Sequence, residues 1–318
     1  MIELVAPVPL HDDDVAPAAR SRVWRHLRRN PAFWLGSSGV TLIVGLAILA
    51  PLIAPYDPVF QFRGDGLTPG GDPLGPTSRF LLGTDKLGRD ELSRLLFGAR
   101  TSLLVGIVGT VSASVIGVAV GGVAGFVGDV RRRIGLPRGR SVSIAVPVES
   151  LLMRLTDAVL SFPILLLAIA LVAVVGSSLG LVVVIVAGFL WTNIARIVYS
   201  RVVVLRELDF VAAARALGAS PRRVLGRHVL PHLASIVVVY ATLGIASAIL
   251  FEATLSFLGV GVPPPTPSWG SMIFDHITYY NTDPRVVALP GLAIMLTILA
   301  FNLLGDALAD ALDPHHWK

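Results

Sequence analysis

The sequence predicts an all-α integral membrane protein with about six transmembrane helices. Of its 318 residues, 54% are hydrophobic and only 15% charged, whereas a soluble domain carries about 25% charged residues. The apolar residues gather in uncharged runs of 20 to 38 residues, and a helix needs about 20 to cross a bilayer. Strand-like alternation is not evident, which argues against a membrane barrel.

Residues 1–34 form a tail that begins acidic and Pro/Ala-rich, with Asp12, Asp13 and Asp14, and reads as disordered. It ends basic, with Arg20, Arg22, Arg25, Arg28 and Arg29 beside Trp24 and Trp34. Basic residues with tryptophan also occur in RNA binders, but beside a membrane span they read as a headgroup-level anchor. No cleavable signal peptide is expected, because the first apolar run is too long and lacks a small-residue cleavage site.

The first span is assigned to Leu35–Ala54, uncharged for 20 residues. Residues 55–100 follow as a Gly/Pro/Asp-rich extracytoplasmic loop with six basic and six acidic residues. Within it, Asp90–Phe97 reads as an amphipathic helix lying along the membrane surface. Thr101–Gly128 is the second span, uncharged for 28 residues. A basic linker over 129–150 holds Arg131, Arg132, Arg133, Arg138 and Arg140. Ala158–Ala195, uncharged for 38 residues, is too long for one span, and GSSLG at Gly176–Gly180 divides it into a third and a fourth. Leu233–Leu258 is the fifth span, interrupted by Glu252, and the Pro-rich stretch after it marks a surface loop. Val286–Gly305 is the sixth, before a short tail at 311–318. Residues 101–310 thus form a five-helix core holding the polar loop 196–231. Pro163 and Pro290 should kink or begin their helices.

Six spans put both termini on one side. With the N-terminus cytoplasmic, nineteen of the 26 Lys/Arg residues lie inside and seven outside, the asymmetry that fixes orientation in membranes. Orientation therefore explains the net charge of +5 better than nucleic acid does. The absence of cysteine excludes disulfides, thiolate metal sites and cysteine nucleophiles.

Asp209–Pro231, reading DFVAAARALGASPRRVLGRHVLP, is the most informative segment. Phe210–Leu217 is rich in helix formers. Gly218 can end that helix at positive φ, and Ser220 can cap a second short helix with Pro221 at its first position. Seven Arg and two acids lie between Arg196 and Pro231, which keeps the loop cytoplasmic. The result is a preformed knob suited to docking on a soluble partner.

Ala213, Ala214, Gly218, Leu230 and Pro231 reproduce the spacing of the "EAA loop" of ABC importer permeases, with Ala212 at the family's Glu position and His228 at an apolar one. Leu82–Arg100 (LGTDKLGRDELSRLLFGAR) and Phe251–Gly270 (FEATLSFLGVGVPPPTPSWG) resemble strings of the branch importing peptides or nickel. Over nearly its whole length the chain resembles the C-type permease subunit of dipeptide/oligopeptide ABC importers. Only the first 30 residues and the Arg-rich linker look like additions. The resemblance implies the type I importer permease fold in a bacterial plasma membrane, with cytoplasmic termini and lipid around the spans. It implies a second homologous permease, two ATPase subunits that bind ATP and Mg, and an extracytoplasmic binding protein. It also implies alternating access, with Ala213, Ala214, Arg215, Gly218, Ala219, Ser220, Leu230 and Pro231 forming the ATPase-coupling loop. Relatives carry dipeptides, longer peptides, glutathione, nickel chelates or haem.

Asp157, Trp191, Asn193, Tyr240 and Glu252 are the candidates for a gate or pathway. An acid in an apolar span is functional by default, although Glu252 could also bond a loop amide, and Asp157 could pair with Arg154. Within Leu82–Arg100, Asp85, Arg89, Asp90 and Arg94 can pair locally. Enzyme readings fare poorly. There is no Walker A pattern, so no nucleotide site is expected in this chain. GSSG at Gly36–Gly39 fits a rhomboid-protease serine motif, but no later mid-span histidine could act as base. His228 and His232 are separated by Pro231 and lack an acidic partner at zinc-site spacing, and His315 and His316 read as a solvated end. A secondary transporter would show paired intramembrane charges or a repeat, and neither is evident.

Overall fold

The computed structural model describes residues 23–128, 130–135 and 141–312, the segments 130–135 and 141–146 by their backbone. The acidic start of the tail, Arg138, Arg140, His315 and His316 lie outside the described residues. Among the described residues five helices are long and apolar enough to span a bilayer, and a bent pair of shorter apolar helices makes six if it is counted as one span.

Helix α1 (Pro31–Ile53) starts where the Asn30 side chain accepts the Ala32 N–H, with Pro31 in the first turn. Helix α2 (Glu91–Val127) runs unbroken for 37 residues. This corrects the expected surface helix: Asp90–Phe97 supplies the N-cap and opening turns of α2 itself. The Asp90 carboxylate accepts both the backbone N–H and hydroxyl of Ser93, and no proline follows to break the helix.

The basic linker contains an antiparallel hairpin, β1 (Val130–Gly135) and β2 (Ser141–Val146), registered from Val130 opposite Val146 to Gly135 opposite Ser141. Helix α3 (Val148–Ser161) and helix α4 (Ile164–Val175) meet at 82° across Phe162 and Pro163. The segment expected as the third span is therefore two helices rather than one, and Pro163 caps the start of the second. Gly176 at φ +87° ends α4, and α5 (Leu179–Leu205) follows.

After the knob helix α6 (Asp209–Ala216), the expected second short helix is not separate. It is the start of α7 (Pro221–Phe257), which passes through a π turn at Val224–Val229. Pro231 explains the turn: it offers no N–H, and its ring crowds the carbonyl four residues back. Widening the helix, with the Leu230 N–H donating to Leu225 O, lets the chain continue. Helix α8 (Trp269–His276) lies at the far end, and α9 (Arg285–Leu312) completes the bundle, with Pro290 inside its second turn.

Helices α2 and α5 form the most extensive pair. Gly117, Gly121 and Gly125 face α5 at four-residue spacing; a Cβ on Gly121 would sit 2.2 Å from Ala195 O. Backbones approach this closely only over small residues, the general device for packing helices in lipid. Val105, Val186, Ile194, Val202, Val229 and Leu255 fill the cluster between α2, α5 and α7. A second cluster, including Ala47, Leu103, Ile249, Met272 and Phe301, joins α1, α2, α7, α8 and α9.

Candidate functional site

At one end of the bundle, α6 and the turn after it project from the helix ends. Helix α6 closes in a Schellman motif: the Gly218 N–H donates to Arg215 O at 3.0 Å and the Ala219 N–H to Ala214 O at 3.0 Å. That pair of bonds requires the residue between them to be left-handed, and Gly218 has φ +81°. Ser220 stands at the start of the next helix, and its carbonyl accepts the Val224 N–H at 3.0 Å. Its hydroxyl makes no capping bond, contrary to the sequence expectation, so Pro221 is the stronger helix-start signal.

The knob is braced from beneath. Val211 is fully buried in the cluster that holds Phe126, Val224 and Val229, with Ala214 and Ala219 packed against it. The Arg215 guanidinium lies over the Phe126 ring at 5.3 Å, tying α6 to the end of α2. Phe210 stacks on His232 at 5.1 Å, tying α6 to α7. Arg206 donates to Gly125 O at 2.6 Å, satisfying a terminal carbonyl of α2, and Tyr199 bonds Glu149 of α3. Helices α2, α3, α5 and α7 thus all meet at the base of the knob.

Its outward face is bare. Ala213, Gly218 and Ser220 are exposed, and no atom lies within 4 Å of a Cβ built on Gly218. Leu217 is 89% exposed. Sequence reasoning missed Leu217 because it counted the residue as helix; its signal was an apolar side chain directly before the capping glycine of a polar loop. Leu230 and Pro231 lie at the π turn, half-buried and exposed respectively, rather than on the projecting tip.

The pathway candidates fall into different surroundings. Tyr240 lines an open cleft of about 780 Å³ between α5, α7 and α9, together with Arg201, His232, Val239 and Leu243. Trp191 is half-buried against the core and Asn193 is exposed one residue beyond Thr192. Asp157 pairs with Arg196 of α5 at 2.5 Å rather than with Arg154; both partners are more than half exposed. Glu252 has no exposed surface. Its carboxylate accepts the Ser102 hydroxyl at 2.9 Å and the Ser256 hydroxyl at 2.7 Å. Those hydroxyls in turn accept the Trp269 N–H and the Val262 N–H, both at 3.3 Å. Glu252 therefore joins α2 and α7 to the start of α8, and reaches loop amides through serine oxygens.

The end opposite the knob carries the charges of 82–100. The Asp85 carboxylate accepts the Leu87 and Arg89 N–H groups and pairs with Arg89 Nε at 2.5 Å and Arg94 Nε at 3.2 Å. Asp85, Arg89 and Arg94 pair as the sequence suggested, whereas Asp90 is a helix cap. Asp275 of α8 faces Lys86, Arg89 and Arg94 at 3.2, 3.6 and 3.7 Å. The Lys86 N–H donates to His276 Nε2 at 3.4 Å, so Nδ1 carries the proton that bonds Met272 O at 2.7 Å. Burial holds the His276 pKa below its ordinary value. Among the described residues no group of three or more His, Cys, Asp or Glu is arranged to hold a metal, and the ring of His232 is turned to the His228 carbonyl.

A bundle of long apolar helices with a braced knob at one end and charged loops at the other is the architecture of a polytopic membrane protein. The chain matches the family of binding-protein-dependent transport system inner membrane components over residues 133–318, and the N-terminal TM domain of oligopeptide transport permease C over residues 20–69. It is 43% identical over 302 residues to a di/tripeptide transport system permease protein DppC of Pseudomonas aeruginosa, covering 94% of this chain and 93% of that one. It is 38% identical over 311 residues to a glutathione transport system permease protein GsiD of Pectobacterium atrosepticum, covering 98% and 96%. A structure of the MetNI methionine ABC transporter in an inward-facing conformation aligns with a TM-score of 0.53 at 19% identity, covering 69% of this chain and 97% of that one. The chain belongs to the binding-protein-dependent permease family of bacterial ABC importers, in its peptide/glutathione branch. Members are multi-pass membrane subunits without a cofactor of their own, and ATP is bound by partner subunits. The sequence expectations for fold, family and non-enzymatic role stand.

Proposed function

We propose that this chain is the C-type permease of an ATP-driven importer of di- or oligopeptides, with its termini and knob cytoplasmic. One observation carries the reading: the Schellman-closed knob of α6, bare on its outer face and braced on α2 and α7. A soluble ATPase that grips Leu217 and Gly218 can push on both helices at once. A second homologous permease completes the pathway, two ATPase subunits grip the paired knobs, and a substrate-loaded binding protein docks at the opposite end.

ATP binding draws the ATPases together and moves the knobs with them. Helices α2 and α7 follow through Phe126 and His232, the inner end closes, and the cavity opens outward. Hydrolysis resets the complex. The nucleotide acts only through the difference in its contacts between the two states. The cleft beside Tyr240 and Arg201 is the proposed inner part of the pathway; Asp157, Trp191 and Asn193 stand apart from that cleft, and Glu252 supports the bundle from inside. Di/tripeptides are the favoured cargo because of the DppC relative, and the GsiD relatives make glutathione the second candidate. Uptake into proteoliposomes holding the whole complex tests the proposal. It predicts peptide accumulation that requires both ATP and the binding protein. Accumulation without ATP would indicate a secondary transporter instead.

A further inference from the structure

No step of the proposed transport cycle uses the basic linker. Residues 130–146 contain five arginines and no acid. The register of β1 and β2 sorts the residues of the two strands. Val130 pairs with Val146, Arg132 with Ile144 and Ile134 with Val142, while Arg131 pairs with Ala145, Arg133 with Ser143 and Gly135 with Ser141. Opposed residues share a face of the hairpin, and successive residues alternate between faces. One face therefore collects Val130, Ile134, Val142, Ile144 and Val146, interrupted by Arg132. The other collects Arg131 and Arg133 among small and polar residues.

A lone two-stranded hairpin is marginal in water unless something covers its apolar face. Among the described residues no helix makes an extended contact with either strand. Both ends of the hairpin are rooted where helices end on the knob side. Helix α2 closes at Gly128, α3 opens at Val148, and a Cβ on Gly128 would lie 3.5 Å from Glu149 Oε2. The nearest apolar cover is therefore the surface of the bilayer that α2 has just left. Strands of six residues fall short of the roughly 9–11 needed to span, and the open edges of a hairpin need water. Arg132 on the apolar face likewise suits headgroup depth and not the hydrocarbon. We propose that the hairpin is an interfacial anchor, its apolar face on the acyl boundary and its arginine face among anionic lipid headgroups. This division of faces is what binds amphipathic elements to anionic membranes, and each arginine near such a surface favours association about fivefold. The anchor needs only that α2 spans the bilayer, so it does not depend on what the complex carries. It would also steady the end of α2, where Gly125 and Phe126 hold Arg206 and Arg215 beneath the knob.

The chain has no cysteine, so a single spin label can be placed on either face. I144C and S143C are each assembled with the native partners in nanodiscs of phosphatidylcholine, with or without phosphatidylglycerol. Collisions of each label with lipid-soluble oxygen and with a water-soluble nickel chelate are then compared. Both positions lie outside the helix bundle, so both variants should assemble. With phosphatidylglycerol present, the label at 144 should favour oxygen and the label at 143 the chelate. Omitting the anionic lipid, or adding R131Q and R133Q, should raise chelate access at 144 by at least about threefold. Equal chelate access at 143 and 144 overturns the anchor. Access at 144 that ignores both lipid charge and the two arginines overturns it as well. Labels shielded from both probes until the ATPase subunits are stripped away also overturn it, by assigning the hairpin to the ATPase.

Discussion

Substituting Gly218 by Asp separates the two tasks of the knob. Inside this chain the change is mild. No atom lies within 4 Å of the new Cβ, so nothing clashes, and the penalty is conformational. A left-handed residue with a side chain costs about 1–2 kcal/mol, and Asp sits at the low end because its short carboxylate bonds locally. That is too little to unfold the bundle. On the outer face the proposed docking would set the same side chain inside a desolvated contact, where a misplaced group costs about 2–4 kcal/mol. Such a loss weakens docking by about 30- to 1,000-fold. G218D should therefore reach the membrane at normal levels, keep its thermal stability within a few degrees, and lose at least about nine-tenths of ATP-dependent uptake in proteoliposomes. Uptake within about twofold of the unaltered complex would refute the reasoning, since a free-standing Gly218 would then need no partner.

Removing the braces should uncouple more gently. F210A and R215A each delete one contact worth about 0.5–1.5 kcal/mol, so uptake per ATP hydrolysed should fall a few-fold while ATPase subunits still copurify. E252A leaves buried hydroxyls of α2 and α7 without their acceptor, at about 1–3 kcal/mol each, and should lower the melting temperature in detergent clearly more than E252Q, which keeps an acceptor oxygen. G121V drives a side chain into Ala195 O, 2.2 Å from the Cβ position, and should abolish stable insertion; a normal yield of folded protein would show that α2 and α5 can part. His276 is held neutral, so its unfolded form binds protons more readily below the ordinary histidine value of 6.5. Stability of the α8 end should therefore fall as pH drops below about 6.5 and hold above it, read as a lower hydrogen-exchange protection factor of the Lys86 amide relative to its intrinsic rate at each pH. H276N should flatten that dependence.

Sequence patterns revealed what local chemistry decides. Uncharged run lengths located the five spanning helices and the apolar bent pair, and Gly218 followed by Pro221 located the knob turn because left-handed backbone and a helix start each demand particular residues. Other features depended on distant partners. Glu252 finds Ser102 150 residues away, and nothing near it in the chain signals that bond. Lys86 meets Asp275 across 189 residues in the same way. The hairpin at 130–146 escaped because a short strand reading VRRRIG offers no apolar alternation to recognise. The surface helix expected at Asp90–Phe97 failed for a related reason: its charges looked solvent-facing, yet the fold buries Asp90, Glu91 and Arg94. The π turn has Pro231 as its one local sign, and the helix widens around that residue rather than ending at it.

The chain contains no cysteine, so a single one can be placed at will. L217C in native membranes, treated with a short thiol-directed crosslinker that captures nearby lysines, tests the central claim that the knob is gripped by an ATPase. The account predicts one dominant adduct to an ATP-binding subunit, with a yield that changes when ATP is trapped, and none from P265C at the opposite end. An L217C chain that crosslinks only to lipid-embedded partners, or to no ATP-binding subunit at all, would contradict it.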